Sequence, residues 1–230
     1  MTIASTVQRL RTSLRNSAGT IVFGMEDGTV SIFGLIFGVA ATTSSAKTVL
    51  IAGASGAIAA AVSMMAGAYL DVETTRDQLA ANRALMQTDG TRALASLPER
   101  LAKAGLTERQ SAALTAAVRN DPAAVGGLLL ALHGDSDAQL NPWEQAFWML
   151  FADFLAAAVP ILPFVFVPIP QARIISAVVT TALLVALGIG RARIAKRGII
   201  RTVSETVSIG IAAALAGVII GVWIEHGFTG

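Results

Sequence analysis

The sequence predicts an all-α polytopic membrane protein with five transmembrane helices and a small helical cytosolic segment between helices two and three. Three observations lead there. Of 230 residues 54% are hydrophobic and 14% charged, with a mean hydropathy of +0.65. The apolar residues gather into runs, several of them charge-free and long enough to cross about 30 Å of hydrocarbon as helix. The basic residues are distributed about those runs with a strong bias, as in proteins whose topology is set by charge. Cysteine is absent, which excludes disulfides, thiolate metal sites and cysteine nucleophiles. A metal site would have to use carboxylate, thioether, histidine or backbone oxygen.

Taken in order, the runs place spans at about 19 to 41, 47 to 70, 145 to 167, 171 to 190 and 204 to 225. A polar leader with Arg9, Arg11 and Arg15 precedes the first, and only Glu26 and Asp27 interrupt the uncharged stretch from Asn16 to Ala46. The second is the cleanest, with no charge between Thr48 and Leu70. Asn141, Pro142 and Glu144 read as a capped helix start, with Pro142 in the first turn, where its missing N–H costs nothing. Pro160 and Pro163 should kink or break the far half of that third span, and Pro168 and Pro170 make a short link to the fourth. The chain thus divides into a leader and hairpin over 1–71, a polar segment over 72–143, and three further spans over 144–230.

The polar segment reads as amphipathic helices over Val72 to Met86, Ala93 to Ala104 behind Asp89-Gly90, and Glu108 to Arg119, with Asp121-Pro122 opening another. It is short for a self-sufficient core, so it is expected to pack on a second copy or on the membrane helices. It holds no Walker motif, dinucleotide fingerprint or metalloprotease signature. His133 and His226 are the only histidines and fall on opposite sides of the membrane in this topology. A two-histidine metal site within one chain is excluded.

Fifteen Arg and Lys lie in the leader, the 72–143 segment and the stretch from Arg191 to Arg201, against Lys47 and Arg173 on the other side. The positive-inside rule therefore puts the N-terminus and the 72–143 segment in the cytosol and the C-terminus outside. The pI of about 9.5 follows from this asymmetry, and no nucleic-acid partner is implied. A polar leader running into two consecutive spans argues against a signal peptide. The alanine- and arginine-rich usage suggests a bacterial inner membrane, with a vacuolar-type membrane as the alternative.

The chemistry is concentrated in the first three spans. A charge inside the bilayer costs about 2.5–3.5 kcal/mol on the insertion scale, so Glu26 and Asp27 should face a pathway, a cavity or a partner. Ser63, Met64 and Met65 lie near the cytosolic end of the second span. At 1.5 Å per residue Asp27 and Met64 sit roughly 21 and 25 Å from the outer face. Asp153, about nine residues into the third span, falls at a comparable depth. Carboxylate and thioether together suit a borderline-to-soft divalent ion. Each residue also has a structural reading. Met64 and Met65 could fill packing gaps, Asp27 could accept hydrogen bonds from Ser or Thr neighbours, and Glu26 could sit at the interface. Asp153 could carry a proton or bond a neighbouring helix. Gly24 with Gly28, and Gly34 with Gly38, have small-xxx-small spacing suited to close helix approach. Asp71, Glu73 and Asp77 could be solvated charges or part of an ion entrance, while Arg191 to Arg201 set topology and touch anionic lipid.

The stretch Glu26-Asp27-Gly28-Thr29-Val30-Ser31-Ile32-Phe33-Gly34 through Gly38-Val39, with Ala61-Val62-Ser63-Met64-Met65-Ala66-Gly67-Ala68-Tyr69-Leu70, resembles the first hairpin of the vacuolar iron transporter family. Pro160-Ile161-Leu162-Pro163-Phe164 is similar to that family's proline-bearing third helix. The resemblance implies a homodimeric carrier that exports or sequesters Fe²⁺, and often Mn²⁺, from the cytosol in exchange for protons, with no permanently bound cofactor. It implies that Asp27 and Met64 line the translocation path between subunits. Glu26, Met65, Asp153 and Glu73 complete the candidate metal set, and Asp27 and Asp153 are the candidates for proton coupling. The chain departs from the family at Ala68, where an acid is common, and in the glutamate-poor region of 76–120. That region offers Asp77, Asp89, Glu99 and Glu108, with Ala80, Ala81 and Ala84 where carboxylates are expected, so a multi-metal cluster is not expected there. The alternative is a non-transporting membrane scaffold or regulator that binds a partner through residues 72–143. An enzyme is not expected, because no nucleophile with a base is visible.

Overall fold

The computed structural model describes residues 3–88, 90–121, 124–125, 128–129, 132 and 141–228. The described residues form helices and their links, with no strand among them. These are α1 (Ile3–Asn16), α2 (Ala18–Thr42), α3 (Ala46–Thr88), α4 (Gly90–Lys103), α5 (Glu108–Val118), α6 (Pro142–Ile161), α7 (Pro163–Phe166), α8 (Ile169–Ile194) and α9 (Ile199–Phe228). Among the described residues, five stretches are long and apolar enough to cross a membrane: Ala18–Thr42, Ala46–Gln78, Pro142–Ile161, Ile169–Ile194 and Ile199–Gly227. The chain forms two compact units, one of Met1–Ala68 with Trp143–Gly230 and one of Tyr69–Pro142.

In the first unit α2 is the central helix, and glycine decides what touches it. Gly34 and Gly38 lie against Ala213 and Gly217 of α9, so close that a Cβ on Gly34 would sit 2.8 Å from the Ala213 carbonyl oxygen. On another side Gly53 of α3 meets Ile36, and Gly56 meets Leu35 and Ile32. Lipid tails are as apolar as leucine, so helices in a bilayer associate through close packing rather than hydrophobic exclusion, and small residues permit it. The core of the unit accordingly joins Ile32, Ile36 and Ala40 of α2 to Val49 and Ala57 of α3, Ala157 of α6 and Ala172 of α8. Large apolar side chains such as Ile58, Phe151, Leu155, Val178 and Ile219 point outward, as lipid-facing residues do.

Three elements differ from the sequence expectation. The leader is helical: α1 docks through Trp148 Nε1, which donates to Ser13 Oγ at 2.7 Å, and Gln145 Nε2, which donates to Ser17 Oγ at 2.8 Å. Its sequence signal was the helical spacing of Ile3, Val7, Leu10 and Leu14. The separate helix expected over Val72 to Met86 does not exist as such, because α3 runs unbroken for 43 residues from Ala46 to Thr88. No glycine or proline lies between Leu70 and Thr88, and a change from apolar to polar residues does not by itself end a helix. The third span, expected to reach residue 167, ends at Ile161, and Pro163 opens the single turn of α7. Pro163 has no N–H with which to continue the ladder. One turn earlier, the Pro160 carbonyl accepts from Ser176 Oγ at 2.9 Å.

The second unit has a small core of its own, which the length argument did not anticipate. Leu97 and Leu101 of α4 are buried with Val125 and Leu129, flanked by Leu94, Leu106 and Val118. Gly105, at φ +91°, lets the chain turn out of α4. A capping box then starts α5, in which Gln110 Oε1 accepts from the Thr107 N–H at 2.9 Å and the Thr107 hydroxyl accepts in return from the Gln110 N–H. Leu97→Ala should cost about 2–5 kcal/mol. Hydrogen exchange of the full chain should show this as faster exchange of α4 and α5 amides while the amides of α2 are unchanged. Unaltered α4 protection would mean that this cluster is not what holds the unit together.

Candidate metal site

The inward face of α6 carries Met149 and Asp153, four residues apart and therefore one above the other. Both lie flat on the backbone of α2. A Cβ at Gly24 would be 2.7 Å from Met149 Sδ, and a Cβ at Gly28 would be 2.9 Å from Asp153 Oδ1 and nearer still to its backbone carbonyl. Glycine at these two positions is what allows a carboxyl group and a thioether to approach the helix. Asp153 is fully buried, and neither of its carboxyl oxygens has a hydrogen-bond partner among the described residues. Asp27 precedes Gly28, is half-buried, and interacts electrostatically with Asp153. Two carboxylates held this way repel each other, and a proton or a cation relieves the repulsion.

Glu26 is engaged differently. Its Oε2 lies 3.3 Å from Arg191 Nη1, and its Oε1 accepts from Thr206 Oγ1 at 3.1 Å. One carboxylate thus ties α2 to the last turn of α8, where a cation also suits the helix dipole, and to α9. Glu26, Asp27, Arg191 and Thr206 share the lining of a cavity of about 390 Å³, walled otherwise by apolar side chains that include Phe23 and Val30.

Met64 and Met65 are half-buried and continue the face of α3 that carries Val49, Gly53, Ala57 and Ala61. Gly53 on Ile36 and Gly56 on Ile32 define an antiparallel register. Extended along the hairpin, it sets Met64 opposite residues 24 and 25, about one turn from the level of Asp27. The direction is different. Asp27 is turned about 140° around α2 from Ile32, which faces α3. Within one chain Asp27 therefore meets the cavity and Asp153, while Met64 and Met65 occupy the α3 side. Glu73 belongs to the second unit and is half-buried there.

Two contributions were missed by sequence reasoning. Met149 could have been found from its four-residue offset to Asp153 beside the matching Gly24–Gly28 spacing. The Glu26–Arg191 pair joins residues 165 positions apart and left no local signal. Among the described residues no three His, Asp or Glu side chains converge into a cation site. In the polar segment Glu99 is bound to Lys103 at 2.8 Å, and that neighbour's hydrogen bond and charge hold the Glu99 carboxyl below its ordinary range. Asp77 and Glu108 are exposed, and Asp89 and His133 lie outside the described residues.

Comparison with known proteins bears on the whole of this arrangement. A family profile described as the VIT family matches residues 18–222 and so takes in all five apolar helices. The chain is similar to Vacuolar iron transporter 1 of Arabidopsis thaliana, 26% identical over 214 residues that make up 90% of this chain and 85% of the relative. It is similar to Vacuolar iron transporter 1 of Eucalyptus grandis, 26% identical over 167 residues, 70% of this chain and 67% of the relative. The Vacuolar iron transporter of Centaurea cyanus is likewise 26% identical over 168 residues, 70% of this chain and 68% of the relative.

Proposed function

The chain belongs to the VIT family, and on that premise we propose that it is a metal-ion carrier moving Fe²⁺, with Mn²⁺ as a second substrate, out of the cytosol in exchange for protons, as a homodimer. The observation that carries the reading is the buried, unpartnered carboxyl of Asp153 lying against Gly28, the residue that follows Asp27 on α2. A carboxylate can hold a proton or a metal ion but not both, so Asp27 serves as ligand and exchange site, and Asp153 holds the counter-transported proton. Thioether sulfur favours Fe²⁺ over Mg²⁺ or Ca²⁺, which is the role of Met64 and Met65. A path between two subunits can be lined by residues on different faces of the α2–α3 hairpin, and a dimer therefore accommodates the different directions of Asp27 and Met64. Glu26, with both oxygens bonded, contributes charge rather than ligation, and Glu73 serves at the entrance. The basic flanks put α1 and the Tyr69–Pro142 unit on the cytosolic side, in a bacterial inner membrane or, with the same orientation, a vacuolar-type one.

The test is uptake of Fe²⁺ and Mn²⁺ into proteoliposomes that contain a pH-sensitive dye, with and without an opposing proton gradient. Saturable Fe²⁺ uptake accompanied by proton movement out of the lumen is expected. Folded protein that moves neither ion would overturn the proposal. In the same assay Met64→Leu should keep transport and shift the preference between Fe²⁺ and Mn²⁺ several-fold. Unchanged discrimination would remove Met64 from the ligand set.

A further inference from the structure

We infer that the Glu26–Arg191 pair sets the charge of the cavity beside Asp27: Arg191 is a fixed counter-cation that keeps the transported ion weakly held, and Glu26 keeps its guanidinium off Asp27. The inference rests on the metal-carrier reading and assigns two positioning residues to it. An arginine in a cation's path has to be accounted for, since it repels the substrate and is costly to place within a spanning helix. Here the side chain is not free: Nη1 lies 3.3 Å from Glu26 Oε2, while Thr206 Oγ1 holds the other carboxylate oxygen at 3.1 Å. The Glu26 side chain is 13% exposed and that of Arg191 38%, so the pair is screened by solvent less than a surface pair would be.

The charge count supplies the reason. Two carboxylates and one guanidinium line the cavity and leave a single net negative charge. A divalent ion entering it is attracted but not fully neutralised. Without Arg191 the two carboxylates would match its charge and hold it hard, whereas transport requires a site weak enough to release what it binds. Without Glu26 the guanidinium would lose its partner in a cavity whose other carboxylate is Asp27. It would then pair with Asp27 and occupy the ligand.

A plain structural tether between α2, α8 and α9 makes a different prediction. Loss of either partner of a tether would impair the site in the same direction, whereas the charge reading demands opposite directions and restoration on combining them. The measurement is anaerobic Fe²⁺ binding by the purified full chain in detergent, by competition with a chromophoric chelator at fixed pH, with folding followed by size exclusion and thermal unfolding. Glu26→Gln is expected to weaken binding about tenfold or more, and Arg191→Gln to tighten it by about the same factor. The Glu26→Gln/Arg191→Gln double variant should return to within about threefold of wild type. Arg191→Lys, which keeps the charge, should follow wild type. If Arg191→Gln does not fold, Glu26→Gln, the neutral double variant and Arg191→Lys still carry the test. Weakened binding in both single glutamine variants, or a double variant no nearer wild type than Glu26→Gln, would overturn the inference. Wild-type binding that none of the variants alters would overturn it alone, while absence of Fe²⁺ binding by folded wild type would overturn the metal-carrier reading and this inference with it.

Discussion

Asp27→Asn is expected to abolish proton-coupled Fe²⁺ uptake in proteoliposomes while leaving the chain folded. Asparagine has the same shape and can still offer one oxygen, but it can neither neutralise a cation nor exchange a proton for one. Loss of a charge-assisted interaction of about 3 kcal/mol corresponds to roughly two orders of magnitude in occupancy. The sign of the stability change separates this from misfolding. Asp27 is half-buried in a spanning helix, where a neutral amide is less costly to hold than a charge. Thermal unfolding of the variant should therefore occur no earlier than that of wild type. Wild-type uptake would remove Asp27 from the path, and loss of uptake with early unfolding would indicate a structural role instead.

Gly217→Val is expected to have the largest effect on stability. A Cβ at Gly217 would run into the carbonyl group of Gly34, and one turn on the Gly38–Gly221 contact is nearly as close, with 2.6 Å to the Gly38 carbonyl oxygen. The opposing atoms are helix backbone, which has no rotamer to change, so the two helices must separate. Overpacking costs about 1–3 kcal/mol where side chains can yield, and rigid backbone puts this case at or above that range. Separating α2 from α9 also strains the bond from Thr206 to Glu26, since it spans the same two helices. Earlier thermal unfolding and a loss of the native elution peak are the expected results. Gly67→Ala is the matched control: a Cβ there meets nothing within 4 Å, and alanine favours helix over glycine by about 0.5–1 kcal/mol. Equal unfolding temperatures for Gly217→Val and wild type would mean that the α2–α9 contact is not closely packed in the folded protein.

The five spans were legible because a charge-free run of about 20 residues has few alternatives to a membrane helix. The close-approach role of Gly34 and Gly38 was legible as spacing, although their partners on α9 were not. Helix ends were harder to read. Continuity of α3 past Leu70 depends on the absence of a breaker rather than on any positive signal, and α1 was hidden because its polar residues outweigh its apolar stripe. At the candidate site, Asp27, Asp153 and Met64 were placed at one depth by counting residues. Glu26 was left without a partner in that count, because Arg191 looked like one more topogenic arginine.

Position along the membrane normal was determined by the sequence itself: each residue of a spanning helix advances about 1.5 Å, and the bilayer thickness limits where the run can begin and end. Rotation about that normal was decided only by tertiary structure. It depends on which glycines of α2 admit the backbones of α6 and α9 and which glycines of α3 admit the side chains of α2, a choice made between residues more than a hundred positions apart as well as between near neighbours. Those contacts turn Asp27 toward Asp153 and the cavity, turn Met64 and Met65 toward the α3 side, and bring Arg191 onto Glu26.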